Sequence, residues 1–331
     1  MPISDRRSLR QQAADALRFA PNAGKLVLLF AGVTAGLALA AGIVTTILDS
    51  QIAGTGGLGG LQLRSTLSTI QALLNIAILV ILPFWNLGYT SVTLKLGRGQ
   101  PTQEKDLLDG FRRFGPALRL MLLRQVVYFA IGFAAMQVAG FVFAMSPWAA
   151  SFYQLMEGQD PMNVATTMDE ASLVVLYSSM IPYFIITGVL YLLALIPVTY
   201  RLRMAELQLM SEPRCGAVMA ALLSNRMMKG NCFALFRLDL QFWWYYLANI
   251  LLMLVCYGDM LLPLLGIDLP MDPTVSFFLF YVVSQAGQIL LFWRYRNQVD
   301  CTYVAAFDRL RAALAQPPQM PQPPTNVPWT Y

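Results

Sequence analysis

Residues 26–48 read LVLLFAGVTAGLALAAGIVTTIL and contain no Asp, Glu, Lys or Arg. A helix needs about 20 apolar residues to cross a bilayer core of roughly 30 Å. This stretch therefore predicts a transmembrane helix. The apolar run is longer than the core of a signal peptide, and a long polar leader precedes it, so we expect the segment to remain in the protein as a span.

Five further segments have the same character, and the composition agrees with them. The chain has 331 residues, of which 57% are hydrophobic and 12% are charged, whereas soluble domains are about one quarter charged. The sequence therefore predicts an all-α, polytopic transmembrane helix bundle with six spans. The predicted spans are residues 26–48, 70–94, 120–145, 173–200, 238–262 and 275–293.

The basic residues predict the orientation of these spans. Of the 23 Lys and Arg residues, 22 lie in the N-terminal leader, the second and fourth loops with the adjacent span ends, and the C-terminal segment; the exception is Arg64. The alternate loops carry eight acidic residues: Asp49, Glu157, Asp160, Asp169, Glu170, Asp259, Asp268 and Asp272. The positive-inside rule then predicts that both termini lie in the cytoplasm. The net charge of +5 indicates contact with anionic lipid headgroups and not nucleic-acid binding.

The predicted cytoplasmic segments contain amphipathic stretches that favour interfacial helices. We expect one in residues 1–25, capped by Ser4, with Leu9, Ala13, Ala16, Leu17 and Ala20 on one face. A second follows Thr102, with Leu107, Leu108, Phe111 and Phe114 together. A third follows Ser211, with Ala217, Val218, Ala221 and Leu222 together. Residues 312–331 are Pro-rich and predict a disordered tail.

Leu17–Gly24, Leu108–Gly115 and Leu223–Gly230 repeat one spacing, and each Gly could end an interfacial helix before a span. One interpretation is three repeated two-span units, and the other is chance, because Leu and Gly are common in this chain.

Uncharged polar residues within the spans are expected to face the bundle interior. They are Asn75, Asn86, Gln125, Gln137, Asn249, Gln285 and Gln288. They either form hydrogen bonds between helices, which is the favoured interpretation, or line a polar pathway. Two charged residues lie near the predicted inner ends of spans, Arg124 in the third and Asp239, beside Arg237, in the fifth. They could form an ion pair, or each could extend separately to water. Gly32, Gly36 and Ala40 form a small-residue face that predicts close helix packing.

Nothing in the sequence predicts a catalytic, cofactor or metal site. The chain has no His, and its four Cys residues form no CxxC pair, so reduced thiols are expected. No P-loop, GxSxG, HExxH or dinucleotide-binding motif is present. No Asp or Glu lies at the middle of a predicted span, which disfavours proton- or sodium-coupled transport.

Three stretches resemble an uncharacterised bacterial integral-membrane family, domain of unknown function 975. The first runs from Leu96-Gly97-Arg98-Gly99 to Asp106-Leu107-Leu108-Asp109-Gly110-Phe111. The second contains Ser224, Met228-Lys229-Gly230-Asn231 and Phe236 to Phe242, with a Trp following. The third is Tyr295 through Ala306-Phe307, where Asp308 stands in place of the family's usual Tyr. The resemblance implies a multi-span protein of the bacterial inner membrane and no particular activity. In the second stretch, Gly230 can end a helix and Asn231 can cap the next one.

Two functions therefore remain open. The first is a non-enzymatic scaffold, or an accessory subunit of a transport, secretion or envelope system, with a membrane-protein partner. The second is a transporter or channel for a small or lipidic solute, which the polar span residues and the helix-breaking Pro83 and Pro182 favour.

Overall fold

The computed structural model describes residues 5–54, 58–157, 170–264, 266–267 and 271–315, and within these ranges it contains helices and no strand. Six helical segments are long and apolar enough to cross a membrane, which confirms the predicted six spans. They are Ala23–Leu48, Ser65–Gly97, Phe114–Ala144, Val175–Ser211, Cys232–Cys256 and Val275–Ala315. The chain divides into two compact units, one of residues 1–118 and 204–331 and the other of residues 119–203.

The described residues form a series of helices and helical turns. In chain order they are α1 (Arg6–Arg18), α2 (Ala23–Gly54), α3 (Leu58–Gly97), a 3-10 turn (Glu104–Leu108), α4 (Asp109–Arg112), α5 (Phe114–Ala144), α6 (Pro147–Met156), α7 (Glu170–Leu202), α8 (Ala205–Ser211), α9 (Ala217–Met228), α10 (Cys232–Asp239), a 3-10 turn (Leu240–Phe242), α11 (Trp243–Cys256), α12 (Gly258–Leu264), α13 (Pro273–Leu291), a π-helical turn (Phe292–Arg296) and α14 (Asn297–Ala315).

The fifth and sixth spans differ from their predicted bounds. The fifth begins at Cys232 instead of residue 238, because α10 leads directly into it. The sixth does not end at residue 293, since the π-helical turn joins α13 to α14 without a break. Helix α14 continues to Ala315, past the predicted start of the tail at residue 312, and residues 316–331 lie outside the described part of the chain.

The first unit contains a helical platform, defined here as α1, the last four turns of α3, the first 3-10 turn with α4, α8, α9 and α14. Its core is the buried face of α14, which includes every residue from Cys301 to Phe307. Helix α14 packs against α1, α3 and α9, and α3 packs against α4 and α8. Apolar side chains thus hold together segments from both ends of the sequence.

The first predicted interfacial helix is present, but a different residue caps it. Helix α1 buries Leu9 and Ala13 as expected, but its cap is Asp5, whose carboxylate accepts a hydrogen bond from the Ser8 amide at 3.2 Å. Ser4 lies outside the described residues.

The helices predicted after Thr102 and after Ser211 are wrong in their starting residues and in which side chains are buried. The chain after Thr102 is a 3-10 turn and the short α4, and Leu107 is buried whereas Leu108 is exposed. Helix α9 begins at Ala217, well after Ser211, and buries Ala217 and Ala221 while it exposes Val218 and Leu222.

The three glycines of the repeated Leu-to-Gly spacing do not have the same role. Gly230 has a φ of +80° at the end of α9, as a helix-ending glycine requires. Gly24 lies inside α2 and Gly115 inside α5, so neither ends an interfacial helix.

The second unit is formed by residues 119–203, which include most of α5, α6 and α7. Phe143 of α5 makes edge-to-face contacts with Phe152 of α6 and Tyr183 of α7, with ring centroids 6.1 and 5.8 Å apart. Near the other end of the same helices, the Thr199 hydroxyl lies 3.4 Å from the Tyr128 hydroxyl. This unit is thus held mainly by aromatic contacts.

Candidate functional site

A close backbone contact joins α3 to α4 in the platform. A Cβ added to Gly88 would lie 1.7 Å from the Leu107 carbonyl oxygen, and one added to Gly110 would lie 2.0 Å from the Phe84 carbonyl oxygen. Real Cβ atoms do not approach oxygen so closely, so only glycine fits at either position. The Gly110 of the first family-like stretch therefore has a packing role.

Charged side chains tie the same stretch to the end of α3. Lys95 Nζ lies 2.7 Å from Asp106 Oδ1 and 3.4 Å from Asp109 Oδ2. The Ser91 hydroxyl donates to Asp109 at 3.0 Å, and the Gln103 amide donates to Asp106 at 2.8 Å. These contacts hold the 3-10 turn and α4 against α3.

The carboxyl group of Asp106 is charged in this setting. Burial raises its pKa, but the hydrogen bond from Lys95, the Gln103 amide, and the charges of Lys95 and Lys105 together outweigh burial. The net result is a pKa below the ordinary value. A carboxylate that is charged and hydrogen-bonded is suited to fixing geometry, because general acid catalysis near neutral pH needs a raised pKa.

The first and third family-like stretches meet in an ion pair. Arg98 Nε and Nη2 donate to the two Asp308 carboxylate oxygens at 3.1 and 2.7 Å. The hydrogen bonds that Arg98 donates to the Asp308 carboxylate raise the pKa of the Arg98 guanidinium. Asp308, where this chain departs from the family's usual Tyr, therefore connects the end of α3 to α14.

The second family-like stretch also reaches α14. The Tyr303 hydroxyl donates a short hydrogen bond to the buried Asp239 carboxylate, and the hydroxyls of Tyr303 and Tyr246 are 2.7 Å apart. Asp239 thus has a tyrosine partner that the sequence did not suggest. Arg124 belongs to the other unit, and its pairing with Asp239 stays a prediction.

Arg237 and Asn231 lie beside this contact with other partners than expected. The Arg237 guanidinium lies over the Phe233 ring, 4.4 Å from its centroid, and its carbonyl oxygen accepts from Arg6 at 3.2 Å. Asn231 is at the N-cap position of α10, but its side chain donates backwards to the Met227 carbonyl at 3.0 Å. It therefore closes the end of α9 and does not cap α10.

An aromatic cage encloses Arg296 where the sixth span meets the platform. Its guanidinium lies 4.4 to 4.8 Å from the centroids of Phe30, Tyr89 and Phe292, and it approaches Asp300 at 3.4 Å. The arrangement combines cation–π contacts with an ion pair. It therefore fixes the π-helical turn against α2 and α3.

A buried amide completes this junction. The Tyr89 hydroxyl donates to Asn297 Oδ1 at 2.6 Å, and Asn297 Nδ2 donates to the Ala23 carbonyl at 2.8 Å. The start of α14, the start of α2 and the last part of α3 are thereby connected through one side chain, whose polar atoms are satisfied as burial requires.

The polar span residues are not packed as expected. Four of them are exposed, so the prediction that these four face the bundle interior is wrong: Asn75, Asn86, Gln125 and Gln137. The other three are half-buried: Asn249, Gln285 and Gln288. Asn86 donates to the Leu82 carbonyl at 2.9 Å and lies 3.4 Å from Arg296, and Asn249 donates to the Tyr245 carbonyl at 2.8 Å. The bonds to Leu82 and Tyr245 lie within one helix, and the contact with Arg296 lies at the edge of the platform.

A cleft of about 400 Å³ lies between the start of α2 and the first 3-10 turn. It is lined by Asn22, Lys25, Leu26, Thr102, Gln103, Glu104 and Lys105. Lys25 Nζ and Glu104 Oε1 are 2.6 Å apart across it, so its two facing charges neutralise each other. Among the described residues, no group of three or more His, Cys, Asp and Glu side chains could hold a metal ion.

The sequence reasoning missed α14, although a signal was present. Val299, Tyr303, Ala306, Phe307 and Leu310 recur at spacings of three and four, and all are buried. The segment carries Asp300, Asp308, Arg309 and Arg311, so it did not qualify as a span. The Gly88 and Gly110 contact had no local signal, because it joins residues that only the fold brings together.

Comparison with known protein families identifies the family of this chain. Residues 1–293 match the family described as Protein of unknown function (DUF975), and the chain belongs to that family. The match ends before Tyr295, so the third stretch lies beyond it. No curated protein and no solved structure matches the chain significantly.

Proposed function

We propose that this member of the DUF975 family is a non-enzymatic membrane scaffold, an accessory subunit of a transport, secretion or envelope system. The observation that carries the proposal is the difference in burial between the platform and the spans. The most apolar window of each span has between 0 and 22% of its residues buried inside the chain, and the value for Val175–Ser211 is 0%. The spans therefore offer wide apolar surfaces to other membrane components.

The first span carries a surface that suits another helix. Gly32, Gly36 and Ala40 are exposed, and no atom of a neighbouring segment lies within 4 Å of a Cβ added to Gly32 or Gly36. Small residues at this spacing let two helix backbones approach closely in a membrane. Since no described helix occupies this face, we assign it to a membrane-protein partner.

The charge pattern supports an orientation for the scaffold. The platform and its flanking turns carry basic residues such as Arg98, Lys105 and Arg112, and the opposite span ends are acidic. By the positive-inside rule the platform lies in the cytoplasm with both termini, and the protein resides in a bacterial inner membrane.

Photocrosslinking in intact cells tests this function. A photoreactive residue at Leu29 or Ile43, which flank the small-residue face, is expected to capture a discrete membrane protein. The double variant Gly32→Leu/Gly36→Leu is expected to abolish capture while the thermal unfolding temperature stays near that of the wild type, because both sites have open space. Phe111 is unsuited as a probe site, because its ring packs 5.8 Å from that of Phe84.

A matched control is available in the other unit. Gly140 and Gly188 also have no neighbouring-segment atom within 4 Å of an added Cβ, so Gly140→Leu/Gly188→Leu adds the same bulk elsewhere. Capture should survive in this control. Lipid as the only crosslinked species from Leu29 and Ile43 would overturn the scaffold function.

Transport of a small or lipidic solute is the second candidate, and the fifth span favours it. This span is interrupted by a 3-10 turn at Leu240–Phe242, and discontinuous helices are common at transporter binding sites. The buried Asp239 lies beside this turn. A solute flux in liposomes that Asp239→Asn abolishes would favour this function over the scaffold.

A further inference from the structure

Helix α9 has two apolar faces, and only one of them is used inside the chain. Ala217, Ala220, Ala221, Ser224, Met227 and Met228 are buried, and the helix packs on α8 and α14. On the opposite side Val218, Met219 and Leu222 are more than half exposed. Large apolar side chains on an outward face need a nonpolar environment to cover them.

Helix α10 continues this pattern into the membrane. Leu235 and Leu238 are buried, whereas Phe233, Leu240 and Trp243 are more than half exposed. The rings of Phe233 and Phe236 stack with centroids 6.2 Å apart. Because α10 is the beginning of the fifth span, Cys232–Cys256, these aromatic residues lie where a span meets the headgroup layer.

The charges along this surface have one sign. From Arg214 to Leu238 the sequence contains no Asp or Glu, and Arg226, Lys229 and Arg237 are exposed. Arg226 follows Val218 and Leu222 at spacings of four, so the three residues share one stripe of α9. The Arg237 guanidinium over the Phe233 ring shows a cation and an aromatic side chain held together on this surface.

We propose that the exposed side of α9 and α10, with Trp243, is a binding surface for anionic phospholipids. Val218, Leu222, Phe233 and Trp243 enter the acyl boundary, and the three basic side chains contact the phosphate headgroups. The occupant is lipid and not a soluble protein for two reasons. The surface is continuous with the start of a span, and it combines an apolar stripe with basic residues, as interfacial membrane-binding helices do. This inference does not depend on the scaffold function.

The experiment uses the full-length protein in vesicles of phosphatidylcholine and phosphatidylglycerol in equal amounts. A photoreactive residue at Leu222 is expected to crosslink lipid, with phosphatidylglycerol enriched over its share of the bilayer. The variant Arg226→Gln/Lys229→Gln/Arg237→Gln is expected to lower the ratio of phosphatidylglycerol to phosphatidylcholine crosslinks by about fivefold or more, since one basic side chain near an anionic surface is worth about that factor.

A second triple variant separates this surface from the general basic charge of the protein. Arg7→Gln/Arg18→Gln/Lys105→Gln removes the same charge from exposed positions on other segments and should leave the Leu222 crosslinks unchanged. All six positions are exposed, so the unfolding temperatures of both variants should stay near that of the wild type. The inference is overturned if Leu222 crosslinks protein instead of lipid, if phosphatidylglycerol shows no enrichment, or if the two variants lose it equally.

Discussion

Glycine has opposite roles in the platform and in the first span. At Gly88 and Gly110 the backbones of α3 and α4 touch, and an added Cβ would lie 1.7 or 2.0 Å from a carbonyl oxygen. At Gly32 and Gly36 no neighbouring segment lies within 4 Å. The same residue type thus closes a contact inside the chain in one region and leaves a surface open in the other.

Polar side chains also bond differently in the platform and in the spans. In the platform they join segments that are far apart in the sequence, as Arg98 and Asp308 do. In the spans, hydroxyls such as those of Thr34, Thr45 and Thr187 bond back to a carbonyl four residues earlier in the same helix. The platform is therefore held by side-chain contacts between distant segments, whereas these three span hydroxyls are satisfied within their own helices, as a nonpolar solvent favours.

The largest effect is expected from a single methyl group in the platform. Gly88→Ala places a Cβ against the Leu107 carbonyl, and the backbone must move, so we expect a loss of at least about 3 kcal/mol in the free energy of unfolding. Thermal unfolding of the detergent-purified protein measures it. Gly36→Ala, the matched change in a span, should stay within about 1 kcal/mol of the wild type. Equal unfolding temperatures for the two variants would contradict the comparison.

A smaller effect, which depends on pH, is expected at Asp106. Asp106→Asn removes the charge that Lys95 contacts and should lower stability by about 1–3 kcal/mol at pH 7. The folded-state pKa of Asp106 lies below its unfolded value, so its contribution is present above the unfolded pKa and is lost as pH falls through the folded pKa.

The stability difference between the wild type and Asp106→Asn should therefore shrink below about pH 4. Parallel unfolding measurements across this range check the sign. Glu104→Gln is a suitable control, because Glu104 lies in the same turn and its partner Lys25 is mostly exposed. A stability difference that stays constant down to acid pH would show that the carboxylate charge is not what stabilises the turn.

The smallest effect is expected at the ion pair between Arg98 and Asp308, whose side chains are 27% and 36% exposed. Arg98→Asp should lower stability by about 1 kcal/mol, and the reversed pair Arg98→Asp/Asp308→Arg should recover most of it. A double-mutant cycle of unfolding free energies gives the coupling. A coupling near zero would mean that α14 is held to α3 by apolar packing alone.

The sequence was sufficient for the six spans because a bilayer imposes one requirement on each, a long apolar helix, which residues 26–48 satisfy without reference to any other segment. Family membership was also recognisable, through short stretches such as the one ending in Gly110 and Phe111. Both were confirmed by the structure and the family comparison.

The platform could not be predicted in the same way. Its contacts join Lys95 to Asp106 and Tyr303 to Asp239, and each depends on how separate segments pack. For Asp239 the sequence offered either an arginine partner or separate contact with water, because charge was the only guide available. Its tyrosine partner is in α14, a helix too polar to be recognised as a span and too apolar on one face to be a loop.

The closure of α14 on α1 bears on how the protein is synthesised. Arg309 donates a hydrogen bond to Ser8 at 2.8 Å across a separation of 301 residues, and the same core contains Ala13 and Cys301. A ribosome releases α14 only after the first five spans and α13 have been made, so the platform core forms late in translation. A nascent chain that stalls after α13 lacks this core, and the apolar platform faces that α14 would cover are then exposed to proteases.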